Sequence, residues 1–286
     1  MRPWPCTLSG LRSAIRYRHP VPELPEVETV RRGLEPVLVG RTFVDGGAHP
    51  SPKFHAATDA VDRTVHSVDR RGKYLLVGLD DGRRLVIHLG MTGQFRILDG
   101  EAEPDPYVRA WWRLDDARTL AFRDVRRFGR IALVGDDLSA LPTLDALGPE
   151  PFDDAFTAEG LWRDVNRSKA RVKTQLLGQR VVAGVGNIYA DEALWRARIH
   201  PAARRITRPA ATRLRDAIRE VLAEGIDHGG TTLRDYRTVE GGEGTNQHRL
   251  DCYGRAGLPC RRCGDELRRS VIDGRGTTHC PTCQRR

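Results

Sequence analysis

From residue 24 onward the chain alternates between two hydrophobic periods. Val27, Val30, Leu34 and Val37 recur at helical spacing behind Pro25 and Glu26, which suit a first helical turn, so a helix with one buried face is expected there. Between 36 and 134 the pattern breaks into short β-rich runs. Strands are expected at 74–79 and 85–89, with Asp80-Asp81-Gly82 as a hairpin turn between them, and at 110–114, 119–123 and 130–134. Several short strands without intervening helices imply a sandwich or a barrel. Leu147-Gly148-Pro149-Glu150-Pro151 reads as a linker. Beyond it the period becomes helical again, at about 158–166, 169–178, 187–197 and 208–228, before a glycine-rich stretch at 229–244. No internal repeat is found.

Composition adds a partner class. The 286 residues carry 47 Lys+Arg against 38 Asp+Glu, a formal charge of +9, and arginines come in pairs at 31–32, 70–71, 126–127, 204–205 and 261–262. That surplus fits a polyanion, because cations set against phosphates release counterions. It also fits the arginine-rich surface expected from a GC-rich genome. No apolar run approaches the ~20 residues of a membrane span. The first 20 residues lack the apolar core of a secretory signal but hold four arginines and no acid. A transit peptide and a stretch added by start-site misassignment both fit them.

The cysteines carry the sharpest local signal. Cys260-x2-Cys263 and Cys280-x2-Cys283 are separated by 16 residues. Two such knuckles joined by a hairpin make a tetrahedral S4 site for one structural Zn2+, with no ligand position left open for water. Paired CxxC motifs also point to metal in a reducing compartment rather than disulfides, and so to a cytoplasmic or nucleoid setting. Cys6 and Cys252 lie outside the pattern. Arg268, Arg269 and Arg275 fall within the hairpin, with Arg275 between two glycines at its tip.

Read in order, the blocks PELPEVETVRRGLE at 22–35, RRGKYLL at 70–76, HLGMTG at 88–93, DVRRFGR at 124–130, LGPEP at 147–151, VVAGVGNIYADEAL at 181–194, GGTTLRDY at 229–236, YGRAGLPC at 253–260 and GRGTTHCPTCQR at 274–285 resemble the Fpg/Nei family, in its formamidopyrimidine-DNA glycosylase branch. The resemblance implies an α+β fold: a β-sandwich domain with a leading helix over 22–146, a linker over 147–157, a helix-two-turns-helix domain over 158–249 and a zinc finger over 250–286. It makes 1–21 a leader absent from the working enzyme. It implies a bifunctional glycosylase and AP lyase that removes oxidised purines from double-stranded DNA and acts on abasic sites without an external cofactor; nothing in the sequence gives reason to expect more than a monomer on DNA.

Site residues follow from the same resemblance. Pro22 matches the N-terminal proline nucleophile. Its secondary amine would form an iminium that stays cationic and serves as an electron sink for β- and δ-elimination, provided the nitrogen is free. Glu23 is the expected general acid and base; without the family it is only a charge favourable at a helix N-terminus. Glu26 shares that ambiguity. Lys73 matches a hairpin lysine that reaches phosphate or the damaged base, and Arg275 a phosphate contact at the active centre. Met91 and Phe128 match wedge residues, Arg126 the residue that reads the orphaned base, and Arg127 a phosphate contact. Lys173 and Asn187 are expected on phosphates, the latter with the backbone amides of 184–187 at a helix N-terminus. The loop over 237–249 matches a lid over the flipped base. The rival readings are a Nei-type enzyme for oxidised pyrimidines and, should the leader remain attached, a DNA-damage binder without catalysis.

Overall fold

The computed structural model describes residues 21–100, 105–135, 137–233, 236–239 and 241–285. Apart from Val21, the stretch read as a leader lies outside them, as does Cys6. Helix α1, Leu24–Leu38, opens the described chain. It is fixed at its start by Glu26, whose Oε2 accepts the Glu23 amide at 2.8 Å. Its first residue, Leu24, is buried in the core of the C-terminal helices, while Val27, Val30, Leu34 and Leu38 are buried in the core of the strands. One helix therefore joins two hydrophobic cores, and the residues just before it sit on the seam.

The strands form a sandwich, as expected. One antiparallel sheet runs β1 (Phe43–Ala48), β6 (Val108–Leu114), β7 (Arg118–Asp124), β5 (Gly93–Asp99). The other runs β2 (Val65–Arg71), β3 (Tyr74–Leu79), β4 (Arg84–His88), β8 (Arg130–Val134). Facing side chains such as Phe43, Leu75, Val77, Ile87, Trp112, Phe122 and Ile131 fill the space between them. Trp112, large and fully buried, keeps its indole N–H satisfied on the Ala57 carbonyl at 2.8 Å. Three strands, β1, β2 and β5, were not anticipated from the sequence.

After the short helix α2 (Pro142–Asp145) the chain becomes helical: α3 (Ala158–Arg167), α4 (Val172–Leu177), α5 (Asn187–Arg196) and α6 (Arg208–Asp227). Thr157 and Thr207 cap α3 and α6, accepting from the amides of Gly160 and Ala210. The 147–151 stretch bridges the halves. Gly148 N–H donates to the Gln179 carbonyl, and the Pro149 carbonyl accepts from Ala183. A hairpin of β9 (Arg268–Ile272) and β10 (Arg275–His279) closes the chain. Among the described residues no helix is long and apolar enough to cross a membrane.

Candidate active site and nucleic-acid interface

Pro22 is buried at the head of α1, beside Glu23, which is only 2 % exposed. The Glu23 carboxylate leaves its own helix and caps α5. Its Oε2 accepts from the amides of Gly186 at 2.6 Å and Tyr189 at 3.4 Å, and its Oε1 from Ile188 at 2.8 Å. From sequence the amides of this turn were expected on a phosphate. Instead the protein's own anion takes one of them, that of Gly186, with those of Ile188 and Tyr189 beyond, and no Cβ fits at Gly186 because it would lie 2.3 Å from the Glu23 carboxyl carbon. Burial raises the Glu23 carboxyl from 4.5 to about 7, with Lys73 opposing and Glu26 reinforcing the rise. Near neutrality this group can therefore both give and take a proton. Burial also raises Glu26, whose Oε1 accepts from Tyr189 Oη at 2.9 Å and from the Thr231 amide at 2.7 Å.

Lys73 occupies the two-residue turn between β2 and β3, after Gly72 at φ +56°. That turn is held from the linker: Glu150 accepts the Gly72 amide at 2.6 Å and the Arg71 guanidinium at 3.0 Å. Lys73 is half-buried. Burial lowers its ammonium pKa, against the pull of Glu23 and Glu26 and with the help of the Arg275 charge. Pro22–Glu23, Lys73 and Arg275 thus converge from the head of α1, the sandwich and the finger hairpin.

Two loops of the sandwich meet nearby. A Cβ at Gly90 (φ +66°) would lie 2.4 Å from Gly129 N, so the turn bearing Met91 presses on the loop bearing Phe128. Asp124 closes that second loop, accepting from the Gly129 amide at 2.7 Å and from Thr92 Oγ1 at 2.5 Å. Arg126, Arg127 and Phe128 are all exposed, Phe128 by 50 %, and the Arg126 guanidinium lies 4.8 Å from the Phe128 ring centre. The closed loop thus holds an aromatic ring out in solvent, with no core for it to fill. His88, not singled out from sequence, is driven to about 4 by burial, then by Lys73 and Arg130. Its Nδ1 accepts the Gly90 amide at 3.0 Å and so fixes the Met91 turn.

In the finger, the Sγ atoms of Cys260, Cys263, Cys280 and Cys283 all lie within 4.8 Å of one another. A tetrahedron of ~2.3 Å Zn–S bonds has edges of ~3.8 Å, so the four thiolates fit one zinc ion. Trp195 Nε1 donates to Cys260 Sγ at 3.4 Å, and Gln284 Nε2 ties the second knuckle to the Ile199 carbonyl at 2.9 Å. Cys252 is buried apart, its thiol donating to the Thr278 carbonyl. Arg275 is exposed at the start of β10, directly after the Asp273-Gly274 turn.

Lys173, expected on a phosphate, is turned into the protein. The Lys173 side chain is fully buried, and its ammonium donates to Asp191 Oδ1 at 2.7 Å, Gly276 O at 3.0 Å and Thr277 Oγ1 at 2.9 Å. All three of its protons are used inside the protein, locking the finger hairpin to α4 and α5. Asn187 Nδ2 also reaches the Gly276 carbonyl, at 3.1 Å, while its Oδ1 has no hydrogen-bond partner among the described residues.

Comparison with known proteins agrees with this layout. Residues 21–131 match the model of the formamidopyrimidine-DNA glycosylase N-terminal domain, 147–237 that of the formamidopyrimidine-DNA glycosylase H2TH domain, and 257–286 that of a zinc finger found in FPG and IleRS. The chain is 49% identical over 269 residues to the formamidopyrimidine-DNA glycosylase of Thermus thermophilus, covering 92% of this chain and 98% of that protein. It is 44% identical over 279 residues to that of Deinococcus radiodurans, covering 92% and 97%. The crystal structure of the MutM (Fpg) protein of Thermus thermophilus superposes with a TM-score of 0.85 at 49% identity, over 92% of this chain and 98% of that one. A Lactococcus lactis Fpg in complex with DNA containing an abasic site gives 0.84 at 35% identity, over 92% and 100%. Three domain matches in the expected order, carried over nearly the whole length of these relatives, leave one conclusion: the chain belongs to the formamidopyrimidine-DNA glycosylase family.

Proposed function

We propose that this protein is a base-excision-repair glycosylase and AP lyase for oxidised purines in duplex DNA, with Pro22 as nucleophile and Glu23 as acid and base. The observation that carries the reading is a carboxylic acid poised at about 7, next to Pro22 and anchored by three amides of the opposite domain. Relatives solved with DNA containing Fapy-dG or an abasic site support the substrate class. The nitrogen of Pro22 bonds to C1′ of the flipped nucleotide as the glycosidic bond breaks and the base leaves. Glu23 gives its proton to the ring oxygen as the C1′–O4′ bond opens, which leaves the iminium. The iminium then draws electrons during β- and δ-elimination, and water finally releases Pro22. Lys73 and Arg275 supply positive charge where phosphate and base are held. Met91 and Phe128 fill the stack, Arg126 reads the orphaned base, and Arg127 and Asn187 meet phosphates. The 237–249 segment covers the flipped base. Zinc does no chemistry; it holds the hairpin that carries Arg275.

The chemistry sets a condition. In the 286-residue chain Pro22 follows Val21, so its nitrogen is an amide and cannot become an iminium. The working form therefore begins at Pro22, with translation from codon 21 or removal of a leader as the two routes. It works at the nucleoid, in the cytoplasm. Borohydride trapping on DNA holding 8-oxoguanine opposite cytosine tests the reading: the form starting at Pro22 gives a covalent adduct. Absence of an adduct, or equal trapping by a homogeneous form whose intact mass includes Met1, overturns it.

A further inference from the structure

A buried polar knot lies behind Glu26, and the side chains of Tyr189, Thr231 and Asn246 that form it carry no step of the chemistry proposed above. Tyr189 Oη, which donates to Glu26, also lies 3.1 Å from Thr231 Oγ1. Asn246 Nδ2 donates to that same Thr231 oxygen at 2.8 Å and to Tyr189 Oη at 3.4 Å. Thr231 and Asn246 are the two ends of one loop, cross-tied where Asn246 N–H meets the Gly230 carbonyl and Gly244 N–H meets Thr232 Oγ1. Every member is buried.

The surroundings are shaped for the knot. A Cβ at Gly225, inside α6, would lie 2.5 Å from Tyr189 Oη and 2.9 Å from Pro25 Cγ. At Gly230 (φ +84°) it would lie 3.0 Å from Glu26 Cγ, and at Gly244 2.1 Å from the Gly230 carbonyl oxygen. A glycine within a helix costs ~1 kcal/mol relative to alanine. Gly225 carries that cost where only a bare Cα leaves room for the tyrosine hydroxyl.

We propose that Tyr189, Thr231 and Asn246 are positioning residues: they couple the loop ends at Thr231 and Asn246 to the orientation of the Pro22–Glu23 peptide. The path is short. The loop ends hold Tyr189 Oη and the Thr231 amide, both donate to Glu26 Oε1, and Glu26 Oε2 holds the Glu23 amide one bond from Pro22. A base bound under the loop therefore helps to aim the nucleophile. An abasic site offers the loop no base, so its cleavage does not use this coupling. The proposal rests on the function proposed above.

The test compares single-turnover excision of 8-oxoguanine with strand cleavage at a preformed abasic site, in the zinc-loaded form that begins at Pro22. Three variants are used. Tyr189→Phe removes only the hydroxyl, Asn246→Ala removes the amide, and Gly225→Ala fills the slot from a different element. Each is expected to slow excision at least ~10-fold, the order expected for one buried hydrogen bond, and to leave abasic cleavage within about twofold. Melting temperatures are measured alongside. An equal fall in both activities, or none in either, overturns the relay. Because wild-type excision and trapping are measured first, loss of the functional reading is distinguishable from loss of the relay.

Discussion

Replacing Lys173 by methionine separates a phosphate contact from a buried brace. Both side chains of the Lys173–Asp191 pair are 0% exposed, and the lysine also serves two acceptors in the finger hairpin. Removing one partner of a buried pair strands the other, at a cost of ~3–5 kcal/mol. At roughly 2–4 °C per kcal/mol for a 150–250-residue unit, Tm should fall by about 6 °C or more. The penalty has a pH signature. Burial already outweighs Lys173 and holds Asp191 at about 6, above its usual 3.8. Without the lysine the folded value rises further. A carboxyl whose folded pKa is raised loses stability as pH climbs from the unfolded to the folded value. The gap between variant and wild type should therefore be larger at pH 8 than at pH 5. Asp191→Leu added to Lys173→Met should recover much of the loss, since no stranded charge remains. Differential scanning calorimetry reads these shifts, and fluorescence anisotropy against salt reads DNA affinity. A variant with unchanged Tm and a log K–log salt slope flatter by ~0.9, the mark of one lost phosphate contact, would refute the brace.

Three further outcomes are expected. With Glu23 at about 7, single-turnover excision should decline as pH rises through that value and the acid form disappears; Glu23→Gln should abolish this limb and slow excision ~10²–10⁴-fold. A limb that persists in the glutamine variant assigns the titration elsewhere. Stripping the metal with a chelator should release one zinc per chain by elemental analysis and remove most DNA affinity while the near-ultraviolet circular dichroism of the sandwich survives; undiminished affinity without metal contradicts a finger that positions Arg275. Arg126→Ala should erode the preference for cytosine opposite the lesion by ~1–3 kcal/mol in relative excision rate, and an unchanged preference removes it from base reading.

Legibility in the sequence followed how local each signal was. β3 and β4 were evident because an apolar run, a DDG turn and a second apolar run lie within fifteen residues. β1 was not: its sequence is FVDGGA, with one fully buried side chain, and its glycines answer to a distant residue. A Cβ at Gly47 would lie 2.5 Å from the Trp111 indole nitrogen. The metal site was legible from the spacing of its paired cysteines alone. Lys173 could not be placed, since its partner Asp191 is 18 residues away and only the fold brings them together. Glu23 shows both sides. The resemblance singled it out as the expected acid and base, whereas the helix it caps begins more than 160 residues later. Tyr189 lay in a recognised block, but nothing local said that its hydroxyl faces Glu26.

The Glu23 cap makes the acid proposed for the reaction a joint possession. The carboxyl is covalently part of the segment leading into the sandwich, yet its pKa and its aim are set by amides of a helix in the other half. Neither half alone contains a working acid. Any event that eases the halves apart exposes Glu23 to water and returns it toward an ordinary carboxyl, ionised at neutral pH and unable to protonate a sugar. With Glu23 as the acid, loosening alone would silence the enzyme, without an inhibitor or a blocked entrance, and chemistry on DNA would be confined to molecules whose halves are fully engaged.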